Sequence, residues 1–441
     1  MSADQALALG PLAGHRCRGK PVRCHHTDSP FGSPAQETAV GSADSPGGFV
    51  RRWSLKARLV VPVEGVPLSG AVVELEGERV TGLRSSGPAS VDLGDVAVVP
   101  GLVNAHTHLD LSDFALPLAP GKSFADWIAA VIRHRTQAGS NPARAVVDGI
   151  KEIESTAATL LGDISSAADS RTALETSSLD AVVYREVIGV TKERAEASWR
   201  GFESWVKNAA LSRRIVSGIS PHAPYSTQTW LFEKAESNPA CQIHIAETRE
   251  EIDFIEKREG PIADLLQKLG FTDTSSLANS PNAIVQRFPN AIMVHVNHLV
   301  PLHFNSYRPA IVHCPATHAH FGRNRFPAKQ WLDAGFRLAL GTDSRASSAN
   351  LNLGEHLENL MCGPDSLDPA TVLRCATLNG ARALGLHADH GSIRPGKLAN
   401  LAVVPIGTRE DLEAVISGLA HPASVLWRGK WRKSEGLANP A

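Results

Sequence analysis

Apolar positions come in short runs at both ends of the chain and in a repeating strand-and-helix pattern between them. Leu59-Val60-Val61-Pro62-Val63, Ala71-Val72-Val73-Glu74-Leu75 and Asp95-Val96-Ala97-Val98-Val99 are separated by Gly and Pro. Runs of this kind, bounded by turn formers, predict the strands of a small β unit. The same texture returns in Ala399-Asn400-Leu401-Ala402-Val403-Val404 and Ala423-Ser424-Val425-Leu426-Trp427-Arg428. Residues 53–100 and 385–435 are therefore expected to join as one small β-sandwich domain, with the stretch between them as an insert.

That insert, residues 101–384, alternates two periods. A run from Val98 through Ala105 leads into His106-Thr107-His108 and reads as a strand. Further strand candidates cover residues 159–164, 181–186, 214–219, 241–245, 291–295, 310–313 and 337–341. Between them lie helix-compatible segments, with apolar residues at helical spacing in 124–132 and a helix expected over 249–257. About eight βα units is the number that closes a parallel sheet, so the expected class is α/β, a TIM-like (β/α)8 barrel. Residues 1–52 differ in kind. They are rich in Gly, Pro, Ser and Ala and read as a disordered extension, with Cys24-His25-His26 an incidental cluster.

Charge narrows the functions. The 441 residues carry a formal net charge of -1, which leaves no basic field for nucleic acid or an anionic membrane. No apolar run reaches the roughly 18 residues of a membrane span, and the N-terminus lacks the apolar core of a secretory signal. The six cysteines form no CxxC pair or regular framework, as in a protein of a reducing, cytoplasmic compartment.

In a closed βα barrel, chemistry sits at the C-terminal ends of the strands. His106 and His108 end the first strand, where a two-residue period puts both imidazoles on one face, able to share a metal ion. His222 follows the fourth strand, His244 lies near the end of the fifth, and His295, His313 and Asp343 close the sixth, seventh and eighth. Glu247, three residues after His244, would face away on an unbroken strand. The capped helix start at Thr248 implies that the strand stops near Ala246, which swings Glu247 over the barrel mouth. A lone histidine in an apolar strand is as often a packing residue, which leaves His313 open; His298, His303, His356, His387, His390 and His421 have no motif around them.

Four motifs in order carry a resemblance: Val99-Pro100-Gly101-Leu102-Val103-Asn104-Ala105-His106-Thr107-His108, His222-Ala223-Pro224-Tyr225-Ser226, His244-Ile245-Ala246-Glu247-Thr248 and Leu340-Gly341-Thr342-Asp343-Ser344. Together they resemble the amidohydrolase superfamily, in particular its deaminase and triazine-chlorohydrolase branch, which includes aminofutalosine deaminases. The resemblance implies that His106, His108, His244 and Asp343 hold one divalent ion, Zn²⁺ first and Fe²⁺ as the alternative. It implies His295 and Asp343 as the groups that orient and deprotonate water, and Glu247 as the acid/base. His222 and Trp127 would face the substrate, a small heterocycle, and Glu186, His318 and Ser344 are further candidates for substrate contact. Ser220-Pro221-His222 stands where binuclear relatives carry a bridging lysine, which argues for a single metal. His318 departs from the Asn common in the loop after the seventh strand. The expected reaction is hydrolytic deamination of an adenine-type nucleoside derivative such as aminofutalosine. Triazine dechlorination, cyclic-amide hydrolysis and an inactive metal-binding scaffold are the alternatives. A homodimer is the assembly that the resemblance suggests, with no nucleic-acid or membrane partner.

Overall fold

In the computed structural model, which describes residues 51–434 except 138, 210 and 211, the apolar run leading into His106 is two strands rather than one. Val96–Pro100 ends and Leu102–Thr107 (β1) begins on either side of Gly101, whose N–H donates to the Asn400 carbonyl at 2.9 Å. A Cβ at Gly101 would stand 2.3 Å from Thr159 Oγ1, so the crossing from one sheet to the next has room only for glycine.

Val96–Pro100 pairs antiparallel with Leu401–Pro405, which pairs with Ser424–Trp427, which in turn pairs with Lys430–Ser434. The early and late parts of the chain thus meet in one six-stranded sheet. A four-stranded sheet of Arg52–Lys56, Val72–Glu76, Arg79–Arg84 and Val91–Asp92 shares an apolar cluster with it. Leu55, Val73 and Leu75 enter that cluster from one sheet, and Val98, Leu401 and Leu426 from the other. The first strand of the four-stranded sheet begins at Arg52. Residues 1–50, with Cys24-His25-His26, lie outside the described residues.

The middle of the chain carries parallel strands. After β1 come β2 (Ala158–Ser165), β3 (Asp180–Val187), β4 (Ile215–Pro221), β5 (Gln242–Ile245), β6 (Ile292–His295), β7 (Ala310–His313) and β8 (Arg337–Leu340). β1 to β4 form one four-stranded sheet in chain order and β5 to β8 another. Isolated parallel bridges Ile219↔Cys241 and Thr107↔Asp343 connect the two sheets at both joins. Alternate residues serve two apolar clusters. Val182, Ile292, Val294, Ala310 and Val312 pack with one another across the sheets, whereas Val183, Met293 and Ile311 pack outward under helices. Burial on both faces explains why these strands read as nearly continuous apolar runs. Among the described residues, no helix is long and apolar enough to cross a membrane.

Candidate active site

His106 enters the site from β1, held by two tethers. Its carbonyl accepts the Thr342 and Asp343 N–H groups at 3.1 Å each, which fastens the end of β1 to the segment after β8. Asn104 strengthens the same join, donating to Thr342 Oγ1 at 2.8 Å and accepting the Thr342 N–H at 3.1 Å. The second tether fixes the ring. Gln242 donates its amide to the Ala105 carbonyl at 3.1 Å, so its oxygen faces His106 Nδ1 and must accept from it. The proton is therefore on Nδ1 and a lone pair is on Nε2. His244 is set in the same way, with Nδ1 donating to the His222 carbonyl at 3.0 Å.

Those lone pairs converge. His244 Nε2 lies 3.3 Å from His106 Nε2 and 3.3 Å from His108 Nε2. Asp343 Oδ1 lies 3.8 Å from His106 Nε2 and 3.6 Å from His108 Nε2. Two imidazole lone pairs facing each other at this distance repel unless a cation stands between them. A tetrahedron with Zn–N bonds of about 2.0 Å has edges of about 3.3 Å, so the donor set has the size and chemistry of such a site. Burial pushes the His106 imidazole down to about 4. Burial, then neighbouring imidazoles, holds His108 and His244 well below their usual range. The rings are neutral at physiological pH. Cys314 has its sulfur within 4.8 Å of the His106 and Asp343 donor atoms, and burial raises its thiol well above the ordinary value.

Beside this cluster stand two groups whose strand alternation is broken. His295 has the parity of Met293, which packs outward, yet its backbone takes φ 73° and its Nε2 lies 3.4 Å from Glu247 Oε2 and 3.9 Å from Asp343 Oδ2. Glu247 has the parity of outward Ile245, and Ala246 before it takes φ 51°. β5 stops at Ile245, the end of the expected strand, and Thr248 caps the helix Arg249–Lys257 by accepting the Glu251 N–H at 3.1 Å. Burial raises the Glu247 carboxyl to about 7, against the pull of the Arg323 guanidinium at 3.0 Å. Asp343 is raised to about 6 by burial, opposed by donors that include the Ser344 N–H at 2.8 Å.

A cavity of about 430 Å³ opens over these residues, and His108, His222, His244, Glu247, His295, Asp343 and Ser344 all reach it. Glu186 and His222 share one wall, with Glu186 Oε1 3.9 Å from His222 Nε2 and His222 Nδ1 2.6 Å from Ser226 Oγ. Trp127 forms another wall, stacked on Phe124 at 5.6 Å and donating Nε1–H to the Ala346 carbonyl at 3.2 Å. The far end is apolar, lined by Ile128, Val131 and Ile132 from the helix Phe124–Thr136 and by Ile262, Leu265 and Leu266 from the helix Pro261–Lys268.

Two histidines fall elsewhere. His318 lies outside the cavity lining: the short helix Pro315–His320 turns it under the rim, where its Nε2 bonds to the Asn324 carbonyl and its ring meets His313 and Phe326 edge-on. His313 keeps the outward parity of Ile311 and stacks on Phe326 at 4.4 Å. Arg323, Gln242 and Asn104 were not singled out from the sequence. Gln242 shares a face with His244 two residues on, a polar residue inside an apolar strand, and that signal was available. Arg323 reaches Glu247 only through the loop after β7, and nothing in its local sequence marks it.

With its donors converging over a cavity at the ends of parallel strands, the chain belongs to the amidohydrolase family, which it matches over residues 97–432. This is the family that the four motifs pointed to. Over 383 residues it is 29% identical to the 5-methylthioadenosine/S-adenosylhomocysteine deaminase of Moorella thermoacetica, with 79% of this chain and 85% of that protein covered. It is 27% identical over 380 residues to the aminodeoxyfutalosine deaminase of Deinococcus radiodurans, covering 79% and 84%. A crystal structure of an adenosine deaminase from Xanthomonas campestris with bound zinc shares the fold, with a TM-score of 0.67, 24% identity and coverage of 87% and 94%.

Proposed function

We propose that the protein is a metal-dependent hydrolytic deaminase of an adenine-type nucleoside that carries a bulky 5′ substituent. The observation that carries this reading is the convergence of three neutral imidazoles and Asp343 beside a buried, raised Glu247, at the floor of a cavity with a long apolar end. His106, His108, His244 and Asp343 would hold one ion, Zn²⁺ being the best match to this nitrogen-rich set. Bound there, the ion would supply Lewis acidity and make water nucleophilic near neutral pH. His295 and Asp343 take up the proton that the attacking water loses at the ring carbon. Glu247, poised near 7, gives its proton to the adjacent ring nitrogen; the proton held by His295 and Asp343 passes to the amine, which departs as ammonia, and the proton of the added hydroxyl restores Glu247 as the carbonyl forms. Glu186, His222, Trp127 and Ser344 position the heterocycle and its sugar. His318, behind the rim, is assigned to loop structure.

The apolar end favours a substituted nucleoside over a free base, and the deaminases named above for 5-methylthioadenosine, S-adenosylhomocysteine and aminodeoxyfutalosine support that direction. Arg135 and Arg194 also line the cavity, Arg194 with its guanidinium 4.9 Å from the Phe271 ring, and their charge favours an anionic end on the substituent. The two parallel sheets are read as one (β/α)8 barrel, residues 101–384, closed through the two bridges. The sheets from both chain ends are read as a β-sandwich domain of residues 53–100 and 385–435.

The test is ammonia release from a panel of adenosine, its 5′-thioether and 5′-carboxylated derivatives, guanine and triazines, on protein of known metal content. Glu247→Gln is expected to abolish release, a loss of at least about a hundredfold for a missing general acid, with metal content unchanged. Full activity in that variant, or turnover of triazines alone, would refute the assignment.

A further inference from the structure

The backbone at Glu247 is held through a carbonyl, Ala246 accepting the His298 N–H at 3.1 Å, while its N–H groups are left to a side chain. Ala246 is in the left-handed region at φ 51°, and the two N–H groups at this corner have left the β5 ladder. Both are taken by one side chain. Glu251 Oε1 accepts the Ala246 N–H at 2.9 Å, and Glu251 Oε2 accepts the Glu247 N–H at 2.8 Å. Glu251 is fully buried and lies on the first turn of the helix that Thr248 caps, four residues beyond the residue it holds. From the opposite side, Asn297 Nδ2 donates to the Glu247 carbonyl at 3.0 Å. Asn297 follows β6, just after the left-handed pair His295 and Val296.

We infer that Glu251 and Asn297 form a two-sided clamp on the Glu247 backbone, one on each of its flanking peptides, and are positioning residues for deamination, acting through the aim of the Glu247 carboxylate. The inference rests on the role proposed above for Glu247. A carboxyl group suits the corner because each of its two oxygens accepts one N–H, and those two donors oppose the burial that raises it to about 8. The amide of Glu251→Gln keeps one acceptor and turns an NH₂ group toward the other N–H, so the corner must shift. Asn297 joins the next peptide, through the Glu247 carbonyl, to the segment that carries His295, which ties together the two groups proposed to act on the substrate.

The test uses metal-loaded wild type, Glu251→Gln, Asn297→Ala, Glu247→Gln and the two doubles with Glu247→Gln. A displacement of about 1 Å is enough for a loss of about a hundredfold, so kcat is expected to fall by that order in Glu251→Gln with KM and metal content unchanged. In the Glu247→Gln background neither clamp substitution lowers kcat further, because the group they aim is gone. Amide hydrogen exchange gives a readout that does not depend on turnover: protection at Ala246 and Glu247 is lost in Glu251→Gln while β5 stays protected. Unchanged protection there overturns the clamp. Equal falls in kcat with and without Glu247 overturn its action through that residue. Should Glu251→Gln fail to fold, Asn297→Ala decides by the same cycle. A wild type that releases no ammonia refutes the deaminase reading alone, and the exchange result still decides the clamp.

Discussion

Replacing Arg428 by glycine sets two effects of known size against each other. Arg428 and Gly429 are the two central residues of the hairpin between Ser424–Trp427 and Lys430–Ser434, with φ 48° and 73°. This is a type I′ turn, which favours glycine, and holding an L-residue left-handed costs about 1–2 kcal/mol. On local grounds, then, Arg428→Gly should stabilise. The arginine, however, gives Nε and Nη2 to Asp180 Oδ1 at 3.0 and 2.8 Å, and Asp180 is only 1% exposed. Removing one partner of a buried pair costs about 3–5 kcal/mol, because the other charge is left without compensation. Asp180 would keep Asn400 Nδ2 at 3.3 Å and, farther off, His390 Nε2 at 3.7 Å and Arg214 Nε at 3.8 Å, which places the loss at the low end of that range. The Glu78 contact is half exposed and adds little. The net expectation is destabilisation by about 2 kcal/mol.

Urea unfolding followed by tryptophan fluorescence measures it, with Trp427 stacked between Arg214 and Arg428 at 4.7 and 5.7 Å as a local reporter. Asp180→Asn combined with Arg428→Gly should recover most of the loss, since no buried charge is then left alone. An Arg428→Gly protein as stable as wild type, or more stable, would show that turn strain outweighs the ion pair. The contact between the late hairpin and the start of β3 would then not hold the two parts together as argued.

Two further perturbations follow from buried groups. Burial raises the Asp163 carboxyl to about 7 from an ordinary 3.8, so the folded chain keeps this proton to higher pH than the unfolded chain. Its contribution to stability is full below about pH 4 and is lost as pH rises through about 7. Asp163→Asn keeps an acceptor for the Leu109 N–H, bonded at 2.9 Å in the wild type, and is expected to flatten the decline of unfolding free energy between those limits; parallel curves for the two proteins would refute this. Stripping the metal with a chelator should lower the thermal midpoint, and Zn²⁺ should restore it, since free ion at a hundred times Kd adds about 2.7 kcal/mol. An unmoved midpoint counts against the proposed four-donor site.

Much of this was legible in the residues because buried parallel strands are long, apolar and bounded by turn formers. The helix Arg249–Lys257 and the strand Ala310–His313 fall where the pattern put them. Alternation also explains what was not legible. His295 and His313 both end an apolar strand with the parity of an outward residue, and in sequence they are equivalent. Only the left-handed backbone at His295 turns one ring to the cluster of His106 and His244, while His313 stays against Phe326. The break at Gly101 was hidden for a related reason: apolar residues continue on both sides of it, and the close approach of Thr159 is a tertiary fact. Arg323 is a loop residue whose partner lies 76 positions away, so no periodicity can find it.

The left-handed residues Ala246, His295 and Asp343 all stand at strand ends around one point. Each such residue costs about 1–3 kcal/mol and persists only where its surroundings fix it. Here the fixing groups are identifiable: Glu251 holds both N–H groups at the Ala246 corner, the Ile245 carbonyl takes the Val296 N–H at 3.0 Å, and the His106 carbonyl takes the Asp343 N–H at 3.1 Å. Regular alternation would send Glu247 and His295 outward with Ile245 and Met293, leaving three imidazoles and one carboxylate able to bind an ion but with no acid beside it. The strained corners therefore bring Glu247 and His295 beside the three imidazoles and Asp343. Substitutions that relax the Ala246 and His295 corners should lower turnover while leaving metal affinity intact.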